Sequence, residues 1–142
     1  MTKHDAGSPP SDAADLVRRF ESGDIALAHF NHQAHLTVAV CFLQRMTPDE
    51  ALTYLRAKLH QLLAHHQAAD AYNETATVFW LRFVRHHLEV SKPACLIEEA
   101  VTSMLVKCGD SRFIFRYYTK EFLASPHARA SWHEPDVRPL DF

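Results

Sequence analysis

The sequence predicts an all-α fold: a single-domain bundle of about five main helices with an extended C-terminal tail. Three observations carry that prediction. Only three glycines occur in 142 residues, too few for a sheet built on tight turns. Apolar residues recur every three or four positions through most of the chain, the spacing of a helix face. Asn, Thr and Ser stand immediately before several of these stretches, where helix N-termini need a side-chain acceptor.

Residues 1–11 are expected as a disordered leader, with Gly7, Ser8, Pro9 and Pro10 breaking any regular pattern. Ser11 is placed to cap a first helix, Asp12 to Glu21, which Gly23 ends. Residues 24–30 then link to a second helix, His32 to Met46, capped by Asn31 and striped by Leu36, Ala39, Val40 and Leu43. Thr47-Pro48-Asp49-Glu50 spells a capping box around a proline at the first helical position. The third helix it opens carries Leu52, Leu55, Leu59, Leu62 and Leu63 and ends near His65–Gln67.

Asn73 caps a fourth helix, Glu74 to Val90, which includes Val78, Phe79, Trp80, Leu81, Phe83 and Val84. A helix apolar around most of its circumference belongs at the centre of a bundle. Ser91-Lys92-Pro93 closes it and opens a fifth helix, Pro93 to Lys107, stopped at Cys108-Gly109-Asp110. A shorter helix, Ser111 to Tyr118, and a final turn from Ser125-Pro126 to Trp132 complete a domain spanning 12–132. The tail 133–142 holds two prolines and is expected to wrap the surface in extended form.

Composition limits the function. The net charge is -2 and no basic patch stands out, so nucleic acid is not an expected partner. No apolar run approaches the roughly 18 residues of a membrane span, and the polar N-terminus lacks a secretory signal. The default compartment is cytoplasmic. Cys41, Cys95 and Cys108 make an odd count without a C-x-x-C pair, so no disulfide framework is indicated. No glycine-rich phosphate loop and no G-x-S-x-G elbow occurs.

Histidine is the informative residue, with 11 copies. At about 100° per residue, His32 falls on the apolar stripe of the second helix and His35 one step round. His66 continues the stripe of the third helix, with His65 on its flank. Short links make successive helices antiparallel. The start of the second helix, the end of the third and the start of the fourth then share one end of the bundle. That brings His32, His35, His66, Tyr72, Glu74 and Thr77 together, with His29 close by in sequence.

Neutral imidazoles with a carboxylate form a common ligand set for a divalent transition metal such as Zn, Fe or Mn; here the set is His32, His35, His66 and Glu74. A helix N-terminus disfavours imidazolium, leaving His32 and His35 as ligands or bases near neutral pH. Glu74 completes the site or serves as general base, and Tyr72 and Thr77 orient a substrate or water. The aromatics Phe79, Trp80 and Phe83 read as core, His86 and His87 as surface, and Arg82 and Arg85 as a solvated face.

The segment Phe30-Asn31-His32-Gln33-Ala34-His35-Leu36, followed by Tyr72-Asn73-Glu74-Thr75-Ala76-Thr77, resembles a pattern in small bacterial proteins of unassigned function. Ser125-Pro126-His127-Ala128-Arg129, with Glu134-Pro135-Asp136 and Arg138-Pro139-Leu140, resembles their C-termini. Those proteins often carry histidine where this chain has Asn73 and an aromatic near Val40. The resemblance directs attention to His32, His35, Tyr72, Glu74 and Thr77 and implies no particular reaction.

Two readings follow. In the first, a His/Glu/Tyr pocket at one bundle end binds a metal ion or a small molecule, with or without catalysis. In the second, the histidines are structural, and the chain is a non-enzymatic interaction or dimerisation module with an exposed apolar patch and a homo-oligomeric state.

Overall fold

Five long helices and several short ones make up the computed structural model, which describes residues 8–91 and 97–142. In chain order these are α1 (Ala13–Ser22), α2 (His32–Arg45), α3 (Pro48–His65), α4 (Glu74–Ser91), α5 (Ile97–Cys108), α6 (Lys120–Leu123) and α7 (Pro126–Ala130). Single 3₁₀ turns lie at Leu27–His29 and Ala69–Ala71, and a longer one at Ser111–Arg116. No strand occurs among the described residues. Most of the expected leader, residues 1–7, and the expected start of the fifth helix, with Cys95, lie outside them.

Capping chemistry sets most of the starts. Asn31 accepts from Ala34 N and opens α2. Thr47 and Glu50 form the reciprocal box at α3, with Pro48 in its first turn. Asn73 Oδ1 accepts from Ala76 N at the start of α4. The first helix begins one residue later than expected. Asp12, not Ser11, is its cap, accepting from Asp15 N, while the Asp15 carboxylate reaches back to Ser11 N. A carboxylate is the stronger acceptor for an orphan helix N–H, so Asp12 takes the position.

Two helix ends need special backbone. Gly23 closes α1 in the left-handed region at φ 82°. After α5, a Cβ on Gly109 would stand 2.6 Å from the Leu105 carbonyl oxygen, so only glycine fits without displacing backbone.

The hub of the bundle is α2, which packs against α1, α3, α4 and α5. It is buried without interruption from Leu36 to Phe42. The fourth helix, expected at the centre, is also central: α4 packs on α2, α3, α5 and α7 and is buried from Thr77 to Leu81. The sequence understates α2 because Thr37 and Cys41 interrupt its apolar run. Both are small enough to sit under a neighbouring helix, and Thr37 satisfies its hydroxyl by donating to Gln33 O at 2.8 Å.

Beyond α5 the chain folds back over α4. Tyr117 and Tyr118 are buried core residues. The tail is pinned by its own polar groups. Asp136 accepts from Thr119 N and Oγ1 at 2.9 and 2.7 Å, and Asp141 accepts from Tyr117 OH at 2.7 Å. Thr75, wholly buried on α4, donates to Ser131 O at 2.8 Å and accepts from His133 N at 3.2 Å. The Phe142 ring ends the strap against Phe79, Phe83 and Tyr117 at centroid separations of 5.4, 5.0 and 5.7 Å. His86, expected at the surface, is half-buried beside that ring, and His87 bonds Ser103 Oγ at 2.9 Å. Arg82 is exposed but lies over the Trp132 ring at 4.6 Å.

Candidate functional site

A cavity of about 300 Å³ opens where the start of α2, the end of α3 and the start of α4 meet. Phe30, Asn31, His32 and His35 line it from the first side, Leu59 and Leu63 from the second, and residues from Ala71 to Trp80 from the third. The last group includes Tyr72, Asn73, Ala76 and Thr77. The structure therefore gathers His32, His35, Tyr72 and Thr77 on one concave surface. None of the side chains lining it is Lys, Arg, Asp or Glu.

The two imidazoles differ. His32 Nε2 lies 3.1 Å from the Cys108 carbonyl oxygen at the end of α5. A carbonyl only accepts, so the His32 proton sits on Nε2 and the neutral ring keeps Nδ1 as an acceptor. Its edge meets the Trp80 indole at a centroid distance of 4.5 Å. Burial lowers the pKa of His32, against the opposing pull of the Cys108 carbonyl and Asp110. His35, one turn on, sits 6.1 Å from the Phe30 ring. Its Nε2 is sealed from solvent and has no hydrogen-bond partner. Burial first, and the neighbouring His32 second, push His35 down to about 4, so the ring is neutral at physiological pH.

Glu74 stands at the edge of the site with its carboxylate committed elsewhere. Arg56 of α3 grips it with Nε at 3.0 and 3.1 Å and Nη2 at 2.6 Å, and the Tyr72 hydroxyl donates to the same group. Burial would raise the Glu74 carboxyl, but Arg56 and Tyr72 together outweigh it and hold it low. Tyr72 is pushed up to about 12, by burial and then by Glu74. Asn73 and Thr77 are also engaged: Asn73 Nδ2 donates to Leu123 O at 2.8 Å, and Thr77 Oγ1 to Asn73 O at 2.9 Å.

His66 is not part of this surface. As the C-cap of α3 it turns toward the α1–α2 link, with Nε2 3.0 Å from Ile25 O. His29 lines a different cleft, beside Asp12, Gln33 and Glu98. The metal set His32, His35, His66 and Glu74 is thus not assembled. His66 is spent on a backbone carbonyl and Glu74 on a guanidinium. Among the described residues, no three His, Cys, Asp or Glu side chains are grouped to hold a metal ion.

Sequence reasoning missed Arg56, His60 and Trp80. Arg56 and His60 are four apart on α3 and so share its flank; His60 lies on Tyr72 at a centroid distance of 4.0 Å, beside the Arg56–Glu74 pair. Trp80 follows Ala76 and Thr77 by one turn, a period that places it on the same wall. Wider surface grooves exist among the described residues: about 590 Å³ between α1 and α5, about 700 Å³ beside Tyr54, about 400 Å³ beside His29 and about 410 Å³ beside Asp110 and Arg112. The first two share a paired polar cluster, Arg45 and Tyr54 with Glu21 at 2.9 and 2.7 Å. Of these, the His29 cleft alone holds an unpartnered buried polar atom among the described residues, His29 Nδ1, in a wall that also carries Asp12 and Glu98.

No helix among the described residues is long and apolar enough to cross a membrane. No protein-family model, curated protein or solved structure matches this chain.

Proposed function

We propose that this chain is a small-molecule-binding protein whose ligand occupies the cavity between α2, α3 and α4. The observation that carries the reading is His35: the residue lines the cavity, and its Nε2 is buried without a partner. Such a group costs about 1–3 kcal/mol unless something meets it, and a ligand's polar atom would offset that cost. The cavity volume lies at the lower end of small-molecule sites.

Binding fits the site better than acid–base catalysis. A general base works best with a pKa near the operating pH. His35 titrates far below that range, Tyr72 far above it, Glu74 is held as a paired carboxylate, and His32, lowered by burial, spends its Nε2 on the Cys108 carbonyl. The test is a ligand-observed NMR fragment screen of the wild type and of Ala76→Leu, which grows a side chain into the cavity. Fragments that bind the wild type and are rejected by Ala76→Leu support the reading. Equal binding to both proteins ends it.

A further inference from the structure

The polar inventory of the cavity narrows the class of ligand, on the reading that this cavity is the binding site. Asn73, Thr77 and Tyr72 already spend hydrogen bonds within the protein. Unused capacity remains on His35 Nε2, on the second nitrogen of His32 and on the Asn31 side-chain N–H group, whose Oδ1 caps α2. Beside Tyr72, the charges of Arg56 and Glu74 close on each other, and Asp110, near His32, is held by Arg112. A charged guest would therefore lose hydration without gaining a counter-ion. The remaining wall is Phe30, Leu59, Leu63, Ala71, Ala76 and Trp80, which suits an apolar ring. A cavity of 150 Å³ suffices for benzene, and this one is about 300 Å³.

We propose that the ligand is a small uncharged aromatic molecule bearing a hydroxyl group, whose oxygen hydrogen-bonds to His35 Nε2. A hydroxyl both donates and accepts, so it satisfies that nitrogen in either tautomer. A bare carbonyl or N–H serves only one of them.

The test titrates the full chain at neutral pH with phenol, toluene, benzoate and benzylammonium. NMR follows the Trp80 indole and the ring nitrogens of His35. Phenol is expected to shift both residues and to bind about fivefold more tightly than toluene, the worth of one net hydrogen bond. It should outcompete both ions. His35→Phe should erase the advantage over toluene while leaving toluene bound. Should that variant fail to fold, the wild-type His35 Nε2 shift decides, since a hydrogen bond must move it. Tighter binding of either ion, an unmoved Nε2 resonance with phenol bound, or an advantage that survives His35→Phe overturns the ligand class and leaves the cavity as a site. No response of Trp80 or His35 to any probe overturns the cavity reading itself.

Discussion

At the scale of single residues, His35 links the cavity to stability. The folded protein keeps this ring neutral down to about 4, whereas its ordinary pKa is 6.5. Between those values the unfolded chain holds the extra proton, so stability falls as pH drops from about 6.5 toward 4. The full interval corresponds to about 3 kcal/mol. Urea midpoints at about pH 7 and about pH 4.5 should therefore move closer together in His35→Phe than in the wild type. Equal pH slopes would mean the ring is hydrated in the folded state. Which face His35 presents was legible from the 3.6-residue period alone. What Glu74 touches was not, because Arg56 is 18 positions away and nothing local marks the pair.

At the scale of elements, α4 has two occupied faces. Asn73, Ala76, Thr77 and Trp80 line the cavity, while Thr75 and Phe79 face the returning chain. Thr75→Val keeps the volume but deprives Ser131 O and His133 N of their partner. Chemical denaturation should register a loss of about 2 kcal/mol, with Thr75→Ser recovering most of it. Starts of α2, α3 and α4 were readable because a cap and its target lie three residues apart. The short α6 and the turns at Leu27–His29 and Ala69–Ala71 were not, because three or four residues cannot display a period. The hub position of α2 was hidden for another reason: burial of Thr37 depends on what packs above it, and a propensity scale sees only the hydroxyl.

At the scale of the whole molecule, the C-terminal strap completes the core rather than decorating it. Phe142→Ala removes a ring shared by Phe79, Phe83 and Tyr117. It should cost about 2 kcal/mol, less than a fully buried ring, and lower Tm by several degrees in calorimetry. An unchanged Tm would mean the strap is held by its polar ties alone. That the tail wraps the bundle was legible from its prolines; where it lands was not. Its anchors, Thr75, Thr119 and Tyr117, lie 17 to 58 residues from the tail groups they hold. The shared bundle end was legible because antiparallel order follows from short links. The divergence of His66 from it was not, because a C-cap leaves the helical period and its ring follows the loop.

The bond from His32 to the Cys108 carbonyl gives the molecule a reporter. Cys108 is buried, unpaired and pushed up to about 12, so iodoacetamide reaches its sulfur chiefly when the end of α5 opens. That opening breaks the same contact that holds an imidazole in the cavity wall. Occupancy that stabilises the closed form should slow carbamidomethylation of Cys108, a rate that mass spectrometry reads from one peptide without any engineered label.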